Sequence, residues 1–479
     1  MSSETPAVAQ ANFELKPRKE TEMATNHLMP RDFGMSWPII VRAEGIRLWD
    51  ADGKEYLDSV SGSASVTSVG YGRREVADAM HEQAMRVAYV HDMEFHNEPA
   101  MQLAAKVTAF AGGDFSRAAF FSSGSDAIES AIKLARNYHI LNGEPARQVV
   151  ISRKRSFHGA TLFALAVGGV TVRKSRYLGY MSNQTAQINA PYCYRCPLGL
   201  QYPDCGLACA QELEQLILEL GPQNVSAFIA EPVVAAGCPG LTPPPGYFEA
   251  IGQICRRYGV VWIADEIITG FGRTGRNFGY QHWDAQPDIL AVAKGISGGY
   301  VPMSGMVISD RIVRPFQDQK GRFIHGLTYQ NHPVACAAAL AVLNIIEREQ
   351  LVLNAAVQGA YLESRMRELA ARLPMVGEVR GKGLLWAMEL VRDRSTKAPF
   401  DRSLGLGSRI LELGFKNGLV IYQSGDSFAH DEVFISPPLI VTRDDIDEIM
   451  TRFARTLEEA QEEVLPTASV GSAGASLSA

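Results

Sequence analysis

The stretch VVWIADEIITGFGRTG (260–275), with PDILAVAKGISGGYVP (287–302) after it, decides the fold. Each begins with an unbroken apolar run that ends on a charge, Asp265 in the first and Lys294 in the second. A run that is apolar at every position, not at alternate ones, is the mark of a strand covered on both faces. Working outward, AAFF (118–121), VVIS (149–152), AFIAE (227–231) and GMVIS (305–309) have the same texture. Between them lie amphipathic patterns at helical spacing: AIESAIKLARNYHI (127–140), ACAQELEQLILEL (208–220) and YFEAIGQICRRY (247–258). Strands and helices in alternation predict an α/β fold, a mostly parallel sheet between layers of helices. From about residue 333 long helices (333–349, 354–372) lead to short strands (LLWAMEL, LVIY, EVFIS) and a closing helix (443–463). That change of texture predicts a second, smaller α+β unit.

The 479 residues leave ample room for such a core. With 46 Lys+Arg against 52 Asp+Glu the net charge is −6, so there is no basic field for nucleic acid or anionic lipid. No apolar run reaches the roughly 18 residues of a membrane span. The N-terminal MSSETPAVAQANFELKPRKE has no apolar centre and is too acidic for a transit peptide. The 7 cysteines form no evenly spaced framework, so a reducing, cytoplasmic location is expected.

In an open α/β sheet, ligands bind beyond the carboxyl ends of the strands. Those ends carry Ser122-Ser123-Gly124-Ser125-Asp126 at the start of a helix, Glu231-Pro232, Asp265-Glu266 and Lys294-Gly295. A Ser/Gly turn feeding a helix aims free amides at an anion, although Ser123 with Asp126 also reads as an ordinary capping box. A desolvated lysine forms a Schiff base with a carbonyl. A buried carboxylate can keep a heterocyclic nitrogen protonated. Pyridoxal phosphate requires all three features together. Two other patterns lack their context. Gly270-x-Gly272-x-x-Gly275 matches a dinucleotide fingerprint, but a Gly/aromatic loop follows it where a helix is required. Gly295-x-Ser297-x-Gly299 matches a nucleophile elbow but runs into a turn and a strand.

Together these segments resemble the class III (ω-) aminotransferases of the fold-type I pyridoxal-phosphate superfamily. The likeness is carried by RLWDADGKEYLD (47–58), FFSSGSDAIESAIKLAR (120–136), SFHGAT (156–161), AFIAEPV (227–233), WIADEIITGFGRTG (262–275), PDILAVAKGISGGYVPMSG (287–305), HGLTYQNHPVACAAA (325–339), VGEVRGKGLLWAMEL (376–390) and FISPPLIVTRDDID (434–447). It implies a large domain over 70–332 with a seven-stranded type of sheet. A smaller domain would be built from 25–69 and 333–464, with flexible tails at 1–24 and 465–479. It implies Lys294 as the lysine that carries pyridoxal 5'-phosphate and shuttles the proton, and Asp265 as the partner of the ring nitrogen. Ser123, Gly124 and Ser125 would form the phosphate cup. Phe157, where relatives usually have Tyr, and His158 would border the ring on one side, Ile267 on the other, and Glu231 beneath. A homodimer is implied, with Thr328 reaching the phosphate in the partner subunit. The activity implied is ping-pong transfer from an amine donor to pyruvate or 2-oxoglutarate. A decarboxylase-transaminase or an aminomutase would keep the same cofactor residues.

Two departures stand out. Many relatives grip the acceptor's carboxylate with an arginine where this chain has Tyr422 or Phe434, and Arg380 and Lys382 are the nearby cations. Ala64 and Ser65 replace a segment that often carries Trp. Together these predict an ω-amine or β-amino donor with a large tail, such as a β-aminoacyl thioester. Second, Cys193, Cys196, Cys205 and Cys209 crowd one Pro/Gly/Tyr-rich loop. Free thiols, a zinc knob and an iron–sulfur cluster are the alternatives there. No other metal site is expected.

Overall fold

The computed structural model describes residues 27–31, 33–34, 36–423 and 431–465. The tails expected over 1–24 and 465–479 lie outside the described residues, apart from residue 465. Near the N-terminus β1 (Ile40–Glu44), β2 (Arg47–Asp50) and β3 (Glu55–Asp58) form an antiparallel meander. Next come β4 (Phe115–Phe121), β5 (Val149–Arg153), β6 (Thr185–Ile188), β7 (Val225–Ala230), β8 (Val261–Asp265), β9 (Ile289–Ala293) and β10 (Ser304–Ser309). They form one 7-stranded sheet in the order β4-β10-β9-β8-β7-β5-β6.

β10 is antiparallel to both of its neighbours, while the pairs from β9 to β6 are parallel. The exception follows from the connection. Only residues 294–303 separate β9 from β10, too few for the crossover of about a dozen residues that a parallel partner needs.

Every residue of β7, β8, β9 and β10 is buried, as their unbroken apolar runs require. The pleat sends alternate residues to opposite faces. Ile229, Ile263 and Ala291 meet Ile128, Ala131 and Ala135 of one helix, Gly124–Leu141. Phe228, Ala230 and Trp262 meet Leu213 and Ile217 of Ala208–Leu220 and Phe248 and Ile251 of Tyr247–Tyr258. The three helices expected between strands are thus present, on both faces. Arg74–Arg86 and Glu98–Ala111 add two more.

The remaining strands are β11 (Val376–Lys382), β12 (Leu385–Leu390), β13 (Leu419–Val420), β14 (Tyr422–Gln423) and β15 (Asp431–Ile435). LVIY, which reads as one strand, serves two sheets. β13 pairs with β3 through Leu419↔Leu57 and Val420↔Asp58, and β14 pairs with β15. Strands from the two ends of the chain therefore share a sheet. Among the described residues no helix is long and apolar enough to cross a membrane.

Candidate active site

Lys294 and Asp265 stand at the carboxyl ends of adjacent parallel strands, β9 and β8. Both line one cavity of about 190 Å³, together with Ser123, Gly124, Ser125, Phe157, His158, Glu231 and Ile267. Apolar Val233, Ala235, Ala236 and Ile268 complete its wall. A larger cleft of about 1310 Å³ lies elsewhere, between the Thr274–Asn277 turn and β11, and contains neither Lys294 nor Asp265. Size alone does not mark the chemistry in this molecule.

The loop after Lys294, expected without helical character, closes as a single 3₁₀ turn, Lys294–Ile296, with φ +47° at Lys294. Leaving the strand on that turn ends β9 at its last apolar residue. Among the described residues no hydrogen bond or ion pair ties the Lys294 ammonium. Burial lowers its pKa to about 8, against the opposing charge of Asp265.

Asp265 is held from behind. Its Oδ1 accepts from the Ile267 amide at 3.1 Å, and its Oδ2 lies 2.7 Å from His158 Nδ1. Burial pushes the Asp265 carboxyl up, while the His158 hydrogen bond and charge pull it down. Burial also disfavours a charged His158, yet the Glu231 charge and the Asp265 hydrogen bond hold the imidazole above its usual value.

Elsewhere on the cavity wall Ser123 caps the helix Gly124–Leu141 in a complete capping box with Asp126. The box uses the Ser123 and Asp126 amides and leaves those of Gly124 and Ser125 at the positive end of the helix. Ser125 Oγ accepts from the Ala160 amide at 2.9 Å, so its own O–H is left to donate. Gly124 is needed for space: a Cβ there would come within 3.1 Å of Ile267 Cδ1. Gly159 is needed for both backbone and space, with φ +144° and a Cβ that would lie 2.6 Å from Ser125 Oγ.

Phe157 borders the cavity with one face of its ring already under the Arg173 guanidinium, at 4.5 Å. Glu231 accepts from the Phe157 amide at 2.9 Å and from Arg153 Nη2 at 3.3 Å. Arg153, buried at the end of β5, is a site residue that sequence reasoning missed. Its partner lies 78 positions away, and no local pattern announces such a pair.

The expected substrate residues are not brought to the cavity wall within one protomer. Ser65 is buried, with its hydroxyl 2.7 Å from Ser436 Oγ, and Ala64 is exposed beside it. Phe434 and Tyr422 pack on each other, ring centroids 4.8 Å apart, in the cluster that backs Val233 and Ala235. Thr328 is exposed on the surface, and its carbonyl accepts from Tyr89 at 2.7 Å. Arg380 is taken up by Glu378, Glu389 and Glu432, Tyr192 and the Pro239 carbonyl. Lys382 opens on the other cleft. Ser297 donates to the Val301 carbonyl at 2.7 Å, a turn bond and not a nucleophile's setting. The glycines of 270–275 lead into no helix.

All four loop cysteines are free thiols, Cys193 exposed and Cys196, Cys205 and Cys209 half-buried. Among the described residues no three His, Cys, Asp or Glu side chains are placed to hold a metal ion.

The family model for class III aminotransferases matches residues 29–457. Diaminobutyrate–2-oxoglutarate transaminase of Halomonas elongata is 38% identical over 93% of this chain and 95% of its own length. Putrescine–pyruvate aminotransferase of Pseudomonas aeruginosa is 37% identical over 89% of this chain and 92% of its own. The crystal structure of a thermostable (S)-enantioselective ω-transaminase from Thermomicrobium roseum is 38% identical and superposes with a TM-score of 0.86, covering 92% of this chain and 97% of that one. The chain belongs to the class III aminotransferase family. It is an aminotransferase of fold type I, and its cofactor is pyridoxal phosphate.

Proposed function

We propose that the Lys294–Asp265 cavity is the cofactor site and that the donor is an amine without an α-carboxylate. Pyridoxal phosphate, when bound, supplies an electron sink for deprotonation at the donor carbon. Lys294 would tether it, and its Nζ, when free, would be the base that takes the proton from the donor carbon and returns it. Asp265 accepts the hydrogen of the ring nitrogen and keeps that nitrogen charged. The Gly124 and Ser125 amides and the Ser123 and Ser125 hydroxyls would hold its phosphate, with Phe157 and Ile267 beside its ring. The observation carrying this assignment is that one cavity joins a lysine with no hydrogen bond among the described residues, a backed carboxylate and a helix N-terminus.

The donor reading rests on what lines the cavity. Lys294 and His158 are its only basic side chains among the described residues, and His158 is committed to Asp265. Among the described residues no guanidinium lines it, and that of Arg173 lies over the Phe157 ring at its border. The Halomonas and Pseudomonas relatives bear the names of diaminobutyrate and putrescine, each with a terminal amine, and of 2-oxoglutarate and pyruvate as acceptors. Steady-state kinetics on terminal amines, β-amino acids and α-amino acids, with either acceptor, will give a kcat/KM at least about tenfold higher for the first two groups; a tenfold step is worth about 1.4 kcal/mol of transition-state binding. A preference for α-amino acids overturns the donor reading.

We further infer a homodimer. Met85, Met93, Tyr180 and Ile324 are 77, 78, 77 and 85% exposed in one chain, large apolar side chains that a partner subunit would cover. On this reading Thr328, four residues from Ile324, would complete the phosphate site in the partner subunit. Light scattering of the loaded protein will give twice the mass of one chain, and a monomer that turns over at full rate contradicts the assembly. A reducing compartment, the cytoplasm, suits the free thiols, and cell fractionation tests it.

A further inference from the structure

Behind Asp265 run four titratable side chains, with carboxyls and nitrogen bases in alternation. Asp265, His158, Glu231 and Arg153 are 3, 1, 6 and 1% exposed. His158 Nδ1 lies 2.7 Å from Asp265 Oδ2. Its other nitrogen, Nε2, is buried with no hydrogen-bond partner and lies 3.9 Å from Glu231 Oε2. Glu231 borders the cavity, yet the chain's own donors engage both of its oxygens: Oε1 takes the Phe157 amide and Oε2 faces Arg153 Nη2. Arg153 also donates to the Glu231 carbonyl at 2.5 Å and leaves Nε and Nη1 unpartnered in the core.

On the reading that Asp265 serves the cofactor's ring nitrogen, we infer that Glu231 is a positioning residue. Its carboxylate holds His158 as an imidazolium, and the imidazolium keeps Asp265 a carboxylate.

A buried carboxylate left alone favours its neutral form. Facing a ring nitrogen, it would then hold the shared proton itself and leave the ring uncharged. A cation 2.7 Å behind Asp265 opposes that preference and favours the proton on the ring. The orphaned Nε2 is the sign of this arrangement. A neutral imidazole that donates from Nδ1 turns a lone pair at Nε2 toward the Glu231 carboxylate. An imidazolium presents N–H there instead. Burial opposes the cation, and the Glu231 charge is the largest effect raising His158. Arg153 in turn neutralises Glu231 from the far side. Glu231 therefore acts through two other residues and need not touch the cofactor.

The test uses the loaded enzyme and reads the cofactor rather than turnover. Glu231→Gln keeps the shape and the acceptor for the Phe157 amide but removes the charge. The pH midpoint of the visible band of the Lys294-linked cofactor will rise by about one unit, because a less positive ring leaves the linked nitrogen more basic. The ¹⁵N resonance of a ring-labelled cofactor will move toward neutral pyridine. Asp265 and Arg273, the charged groups whose field reaches Lys294 directly, are intact in the variant. If the single variant does not fold with Arg153 uncompensated, the Arg153→Met/Glu231→Gln double variant removes both charges and will shift the midpoint in the same direction, by less, because the Arg153 charge opposes a charged His158. An unchanged midpoint and an unchanged ¹⁵N resonance in a variant that binds the cofactor overturn the inference. A wild-type protein with no Lys294-dependent band instead overturns the cofactor-site reading on which it rests.

Discussion

Replacing Lys294 with alanine will abolish the visible band of the loaded protein and lower transamination by at least about 10⁴-fold, the upper range of what one acid–base group contributes. Two functions leave together: the tether to the cofactor and the base that moves the proton. The rest of the cavity stays, because no hydrogen bond ties the ammonium among the described residues and the helix end proposed to hold the phosphate is untouched. The variant will therefore still bind pyridoxal phosphate, with the free aldehyde's spectrum, and equilibrium dialysis measures this. The titration of the lysine adds a pH arm. Burial lowers Lys294 to about 8, and only the neutral amine attacks a carbonyl. Uptake of the cofactor by wild-type apoprotein will quicken as pH rises toward 8 and level off above it. Retention of the band or of activity in the alanine variant removes Lys294 from the chemistry.

How much of this could be read in advance differs from element to element. Lys294 and Asp265 were legible because each ends a run with no polar residue, and a charge there must sit at the mouth of a buried strand. The three helices between strands were legible from period alone, whereas Arg74–Arg86 was not, since it buries only Val76 and Gln83 and carries no apolar stripe to detect. Glu98–Ala111 does carry one, with Leu103, Val107 and Phe110 buried, and went unread beside the stronger strand signals. The antiparallel course of β10 follows from a connection length, not from composition. The relay behind Asp265 was the least accessible part. His158 and Asp265 are 107 positions apart, Arg153 and Glu231 78. Such pairs exist only once the sheet has set β5, β7 and β8 side by side. The resemblance supplied residue types at those positions. It did not supply Arg153, nor the commitment of Arg380 to three glutamates.

Asp265→Asn will lower kcat by about 10³-fold while leaving the cofactor bound and the apoprotein no less stable, and that combination separates chemistry from folding. The first effect follows from the ring nitrogen: without an anion beside it the proton is lost and the electron sink weakens, within the range by which removal of a single preorganised electrostatic partner slows an enzyme. The second follows from the sign of the titration. Burial raises Asp265 in the empty site, so its protonated form is the one the fold prefers. The stability that goes with that form is present below the unfolded pKa and is lost as pH rises through the folded one. At neutral pH the ionised carboxylate thus weighs against the apo fold, and an amide of the same shape lifts that burden. The local hydrogen bonds can adjust. The asparagine oxygen accepts from the Ile267 amide, and His158 changes tautomer, accepting at Nδ1 from the new amide and turning Nε2–H toward Glu231. Thermal unfolding of the two apoproteins at pH 7, beside single-turnover rates of the two loaded ones, measures both effects. A fall in kcat smaller than about tenfold denies Asp265 the ring-nitrogen role. A large fall in kcat accompanied by a much lower melting temperature means instead that the carboxylate was holding the fold, with the imidazolium behind it as its counter-ion.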